Sequence, residues 1–174
     1  EAPMSDAGPN TAIVVSAGGE GIAIAEQGAN NSAAALNPAP TASVFATARL
    51  GDGNTATAIG GALGGSANAS QGNDNTATAI GDAASTDVRR GNNNTGTASG
   101  FRASVKIDRG EDNTATATGN LASVVITLGD VNIANASANE AGVEIFVGSF
   151  NTANATSSGC SIYIAGRDGQ DDVC

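Results

Sequence analysis

The sequence predicts an all-β protein: a parallel β-solenoid of about eight coils, each 19–23 residues of strand, turn and strand, forming two facing parallel sheets with an internal asparagine ladder. Three observations carry this expectation. Asparagine returns at 10, 31, 54, 75, 94, 113, 132 and 151, at spacings of 21, 23, 21, 19, 19, 19 and 19. Six of the eight lie within Gly-x-x-Asn-x-Ala, as in Gly51-Asp52-Gly53-Asn54-Thr55-Ala56 and Gly110-Glu111-Asp112-Asn113-Thr114-Ala115. The chain also holds 24 glycines and only 3% aromatic residues, so it cannot fill a bulky layered core and is suited to a thin one lined by small side chains.

One coil reads from Ala103 to Gly119. Ala103-Ser104-Val105-Lys106-Ile107-Asp108-Arg109 alternates with period two, which places Val105 and Ile107 inward and Lys106 and Asp108 outward. Later coils repeat the inward pair as Val124/Ile126, Val143/Ile145 and Ile162/Ile164. After the turn, Thr114-Ala115-Thr116-Ala117-Thr118-Gly119 forms the second strand, with Ala115 and Ala117 inward and β-branched Thr outward on a pleated surface. The repeated Asn shares the parity of the inward Ala. Asn10, Asn31, Asn54, Asn75, Asn94, Asn113, Asn132 and Asn151 are therefore expected to form a ladder in which each buried amide bonds its equivalents above and below. Glycines 51, 72, 91, 110, 129 and 148 are expected to supply tight turns.

The ends depart from this pattern. Residues 1–6 read as a leader, 7–165 as the solenoid and 166–174 as a tail. Ala7-Gly8-Pro9-Asn10 is an imperfect first repeat, and Asn37-Pro38-Ala39-Pro40 is an insertion suited to a lateral bulge rather than a ladder strand. Cys160 and Cys174 are placed to close one small loop in an oxidising compartment and so fold the acidic tail over the last coil.

The two outward faces differ in chemistry. The Val/Ile strands present a mixed, charged face. The Ala strands present Thr55/Thr57, Thr76/Thr78, Thr95/Thr97 and Thr114/Thr116, flanked by Ser32/Ala34 before and Ile133/Asn135 and Thr152/Asn154 after, with no charge between coils. Three readings of this face stay open: Thr as an ordinary exposed-strand residue, a surface for lateral contact with copies or another polymer, and an ice-binding array. Thr-x-Thr rungs on a β-solenoid resemble those of several unrelated ice-binding proteins, in which repeated hydroxyls and methyls order water.

Tandem Gly-x-x-Asn-x-Ala units in strand–turn–strand form also resemble the curlin repeat of bacterial curli fibres, over residues from about 7 to 167. That resemblance implies that Asn31 through Asn151 are ladder residues, that the matching glycines are turn residues, and that solenoids stack end to end as functional amyloid. The chain lacks the recurrent inward Gln and Ser of curlin strands.

Composition excludes several classes. A formal net charge of −10 repels phosphate backbones and anionic lipid, so neither nucleic acid nor membrane is an expected partner. No stretch approaches a spanning helix, and the start at Glu1 is read as the mature end of an exported, extracellular or cell-surface chain. With no His and no cleft-forming acid/base pair, no enzyme, cofactor or catalytic residue is expected. The Gly/Asp-rich turns do not repeat the nonapeptide of calcium β-rolls, so no metal is expected either. The sequon positions Asn30, Asn68, Asn93, Asn135 and Asn154 follow from an Asn- and Thr-rich chain, and sugar on Asn135 or Asn154 would block the neutral face. The leading functional expectation is a secreted structural protein that polymerises end to end with itself. The alternatives are a monomeric ice-binding protein using the Thr face and a polysaccharide-binding adhesin.

Overall fold

In the computed structural model the described residues are 10–27, 30–39, 41–50, 53–71, 74–90, 93–109, 111–127, 131–146, 151–156, 159–165 and 169–174. The expected leader and the turn glycines at 51, 72, 91, 110, 129 and 148 lie outside them.

Among the described residues seventeen strands, numbered in chain order, form two parallel sheets. The first sheet has nine strands: β1 (Ala12–Val15), β3 (Ala33–Leu36), β5 (Ala56–Ile59), β7 (Ala77–Ile80), β9 (Gly96–Ser99), β11 (Ala115–Thr118), β13 (Ala134–Ser137), β15 (Thr152–Ala155) and β17 (Asp171–Val173). The second has eight: β2 (Gly21–Glu26), β4 (Val44–Arg49), β6 (Gly65–Ser70), β8 (Ser85–Arg89), β10 (Arg102–Asp108), β12 (Leu121–Thr127), β14 (Glu140–Phe146) and β16 (Ser161–Ile164). Each strand pairs with its counterpart one coil away, so the chain winds between the sheets and the solenoid expected from the repeat is observed. Register follows the repeat: Ala56 pairs with Ala77, Ala115 with Ala134, and Val105 and Ile107 with Val124 and Ile126.

The core is the narrow space between the sheets. Ala33, Ala35, Ala56, Ala58, Ala77, Ala79, Ala98, Ala115, Ala117, Ala134, Ala136 and Ala153 line it from one side, and Val88, Val105, Ile107, Val124, Ile126, Val143 and Ile145 from the other. Small residues on the first sheet make room for branched ones on the second. Gly96 shows the fit at one position. It stands where the other repeats carry Ala, and a Cβ there would lie 2.5 Å from Val105 Cγ1, closer than the packed core admits.

The two corners use different devices. Between the first and second sheets, Gly60, Gly81, Gly100 and Gly119 stack so closely that a Cβ at Gly100 would fall 1.6 Å from the Gly81 carbonyl oxygen, and one at Gly119 1.7 Å from that of Gly100. Only glycine lets these backbones approach. At the opposite corner the left-handed residues are Gln27, Leu50, Gln71, Arg90 and Arg109, with φ of 56° to 67°. Each directly precedes one of the glycines singled out in the sequence or the equivalent Gly28.

The insertion after β3 is anchored at its first residue. Asn37 is fully buried; its Nδ2 donates to the Gly19 carbonyl, and its Oδ1 accepts from the Ala39 amide at 2.9 Å, an Asx turn that carries Pro38 outward. The expected bulge therefore begins with a buried polar staple to the preceding coil.

Candidate binding face

The asparagine ladder runs the length of the solenoid. All eight predicted residues are buried, and each Nδ2 from Asn31 to Asn151 donates to Oδ1 of the Asn one coil earlier, at 2.5–3.1 Å. The ladder has a direction. At its start, Asn10 Nδ2 turns to the Glu26 carbonyl at 3.0 Å; at its end, Asn151 Oδ1 is buried with no hydrogen-bond partner among the described residues. In-register amides of this kind fix one Ala-strand register, because a one-residue slip would take every Asn off the ladder.

That register holds the outward face flat and repetitive. Thr57, Thr78, Thr97 and Thr116 stand in line across β5, β7, β9 and β11. Thr55, Thr76, Thr95 and Thr114 form the neighbouring column, kept in step as Ala56 N donates to Thr76 O, Ala77 N to Thr95 O and Gly96 N to Thr114 O, at 2.9–3.0 Å. All eight predicted threonines are partly exposed. Neighbouring rungs are about 4.8 Å apart and the two columns about 6.7 Å apart, from strand spacing and rise. The result is a grid of threonines, each carrying one methyl and one hydroxyl group.

A third outward column was not singled out by the Thr-x-Thr pattern. Val15, Leu36, Ile59 and Ile80 lead, in register, to Ser99, Thr118 and Ser137. Its signal lay in the sequence, two residues after the second Thr of each rung, but changes from apolar residues in the early coils to hydroxyl residues in the later ones. Together with Ile13 and Val15, each 70% exposed, it makes the face more apolar toward β1 and more hydroxylated from β9 onward. No charged residue occurs in any strand of this sheet from β1 to β15.

The other face is electrically different. Arg49 pairs with Glu26, and Arg89 donates to Asp87 at 2.9 Å through Nε. That hydrogen bond and the Asp87 charge raise the Arg89 pKa above its ordinary value. Charge is thus segregated onto the second sheet and the corners, as the strand alternation implies.

The C-terminal end carries a closure that sequence reasoning gave only as a fold-back. Cys160 and Cys174 are joined, with Cα atoms 5.9 Å apart, and the residues before Cys174 form β17, which pairs with β15 as an extra strand. Its register sets Asp171 against Thr152, Asp172 against Ala153 and Val173 against Asn154; one residue earlier, Gln170 takes the place of the next ladder Asn. Backbone register thus sets Asp172 in line with the position that Ala holds in the other coils, Gly96 excepted. A strand of only three residues is a poor template for another strand. No strand covers β16, β2 or β1 on their outer edges among the described residues. Compared with family models, with curated proteins and with solved structures, the chain matches none.

Proposed function

We propose that this protein is a non-enzymatic binding protein that lays the flat Thr-bearing face of its first sheet on an ordered, repetitive surface, and that ice is that surface. The observation that carries the reading is the grid of Thr55, Thr57, Thr76, Thr78, Thr95, Thr97, Thr114 and Thr116, uncharged and held in register from below by the asparagine ladder. A grid of methyls and hydroxyls at fixed spacing constrains the first water layer into repeated positions, whereas one charge would disrupt it. The closure at β17 supports a discrete molecule over an open-ended stack. The test is ice shaping and thermal hysteresis with Thr76→Tyr and Thr95→Tyr, which place bulk on the grid without touching the core. Loss of activity with unchanged circular dichroism is expected; retained activity refutes the reading.

A second reading, end-to-end polymerisation into an extracellular curli-like fibre, draws support from the open edges of β1, β2 and β16. Sedimentation velocity and negative-stain microscopy of the purified protein separate the two. Long filaments with an axial repeat near eight strand spacings, about 38 Å, favour the fibre. A single slow-sedimenting species excludes it.

A further inference from the structure

The outer face of the second sheet carries a shallow groove, of about 330 Å³, lined by Ser123, Val125, Gly142, Glu144, Ser161 and Tyr163. Its origin is a missing side chain. Outward positions of β12, β14 and β16 align as Ser123–Gly142–Ser161 and, two residues on, as Val125–Glu144–Tyr163. Gly142 opens a gap between two hydroxyls, and a Cβ built there meets nothing within 4 Å. Glu144 and the Tyr163 ring border the gap, and Tyr163 is 55% exposed.

Tyr163 is the sole tyrosine of a chain with no tryptophan. A large aromatic ring left in water, beside a carboxylate and two hydroxyls, makes a specific set of groups. The ring offers an apolar face with a polar tip, the carboxylate accepts from a pair of adjacent hydroxyls, and each serine both donates and accepts. A pyranose needs these together: one ring face is made of C–H groups that stack on an aromatic plane, and its equator carries neighbouring hydroxyls. The volume lies at the lower end of the range for small-ligand sites, enough for one sugar unit with its chain continuing out of the open ends. We infer that this groove binds a neutral pyranose unit of an oligosaccharide, with Tyr163 stacking on the ring, Glu144 accepting from its hydroxyls, and Gly142 giving the room. The site is on the sheet opposite the threonine grid and stands independently of the ice-binding reading.

Because Tyr163 is the only tyrosine and tryptophan is absent, ultraviolet emission reports on this site alone. The experiment titrates the intact, disulfide-closed protein with cellotetraose, maltotetraose and chitotetraose, reading tyrosine emission and, in parallel, heat by calorimetry. Saturable quenching by at least one of the three is expected. Gly142→Val, which refills the gap at an exposed strand position, and Tyr163→Ala should each weaken calorimetric binding by at least about tenfold, while Tyr163→Phe keeps it. Circular dichroism establishes that each variant is folded; if Tyr163→Ala is not, Gly142→Val decides. Absence of any saturable response to all three sugars overturns the proposal. So does binding that survives Gly142→Val, since the sugar then sits elsewhere.

Discussion

Removing one asparagine from the middle of the ladder should cost far more than removing one from its end. Asn113 is 1% exposed; its Nδ2 donates to Asn94 Oδ1 at 2.6 Å, and its Oδ1 accepts from Asn132 Nδ2 at 2.6 Å. Asn113→Ala deprives Asn94 Oδ1 of that donor and Asn132 Nδ2 of that acceptor, both in the dry interior. At about 1–3 kcal/mol for each buried hydrogen bond lost, the change costs about 2–6 kcal/mol, before any contribution from the emptied volume. Asn10 has a neighbour on one side only, Asn31, and gives its own amide to the Glu26 carbonyl. Asn10→Ala breaks one buried ladder bond rather than two, and because the Glu26 carbonyl bond it also removes is only partly buried, a smaller loss is expected. Thr116→Ala on the open face provides the baseline, within about 0.5 kcal/mol of the parent. Urea unfolding of the three variants, followed by circular dichroism, measures the order. If Asn113→Ala unfolds with the baseline variant, or no earlier than Asn10→Ala, the ladder is not what holds the coils in register.

Further expectations follow from the same geometry. Asn113→Asp replaces a buried donor with an acid; burial disfavours its charged form, so its folded-state pKa stands above the unfolded value, and the folded chain holds a proton that the unfolded chain has released. Stability is therefore best below the ordinary carboxylate range and falls as pH rises through the folded pKa, which urea midpoints between about pH 4 and 7 will show; a variant stabler at neutrality contradicts this. Reducing the Cys160–Cys174 bond, which closes a loop of sequence separation 14, should cost about 3 kcal/mol. That loss should be confined to β15, β16 and β17, as raised amide exchange there with β5 to β11 unchanged, because each coil contacts only its neighbours; uniform loss of protection would contradict it. Gly100→Ala puts a Cβ 1.6 Å from the Gly81 carbonyl oxygen and should lower the unfolding midpoint sharply, whereas Gly142→Ala, which meets open space, should not. Equal midpoints would mean that the corner relaxes freely.

Much of this architecture was legible because a short repeat states its own register. Once Asn54, Asn75, Asn94, Asn113, Asn132 and Asn151 are aligned, period-two alternation decides which side chains face inward, and the buried ladder, the Ala wall and the Val/Ile wall all follow. What the repeat does not state was harder to read. Asn37 lies in an insertion, and its role depends on the Gly19 carbonyl of the preceding coil, a contact without periodicity. The tail was legible as a cross-link between Cys160 and Cys174, yet three residues with two aspartates carry almost no strand signal; β17 forms because the disulfide holds them beside the free edge of β15. The close-packed corner glycines at 60, 81, 100 and 119 were masked by a chain in which glycine is common, and only stacking distances single them out. The Thr columns stand out in the sequence because one residue type recurs in each rung, and the third column does not: its Ile59, Ile80, Ser99 and Thr118 share a position in the fold without sharing a chemistry.

The most direct test of the central claim is partition of the protein between ice and liquid. A dilute solution is frozen slowly from one cold surface, and the protein in the ice and in the remaining liquid is measured for the parent chain and for Thr78→Tyr with Thr97→Tyr. The parent is expected to be enriched in the ice, and the double variant, equally folded, to be driven into the liquid like any other solute. A parent chain left in the liquid, or a double variant that enters the ice as readily as the parent, would contradict the assignment of the threonine face.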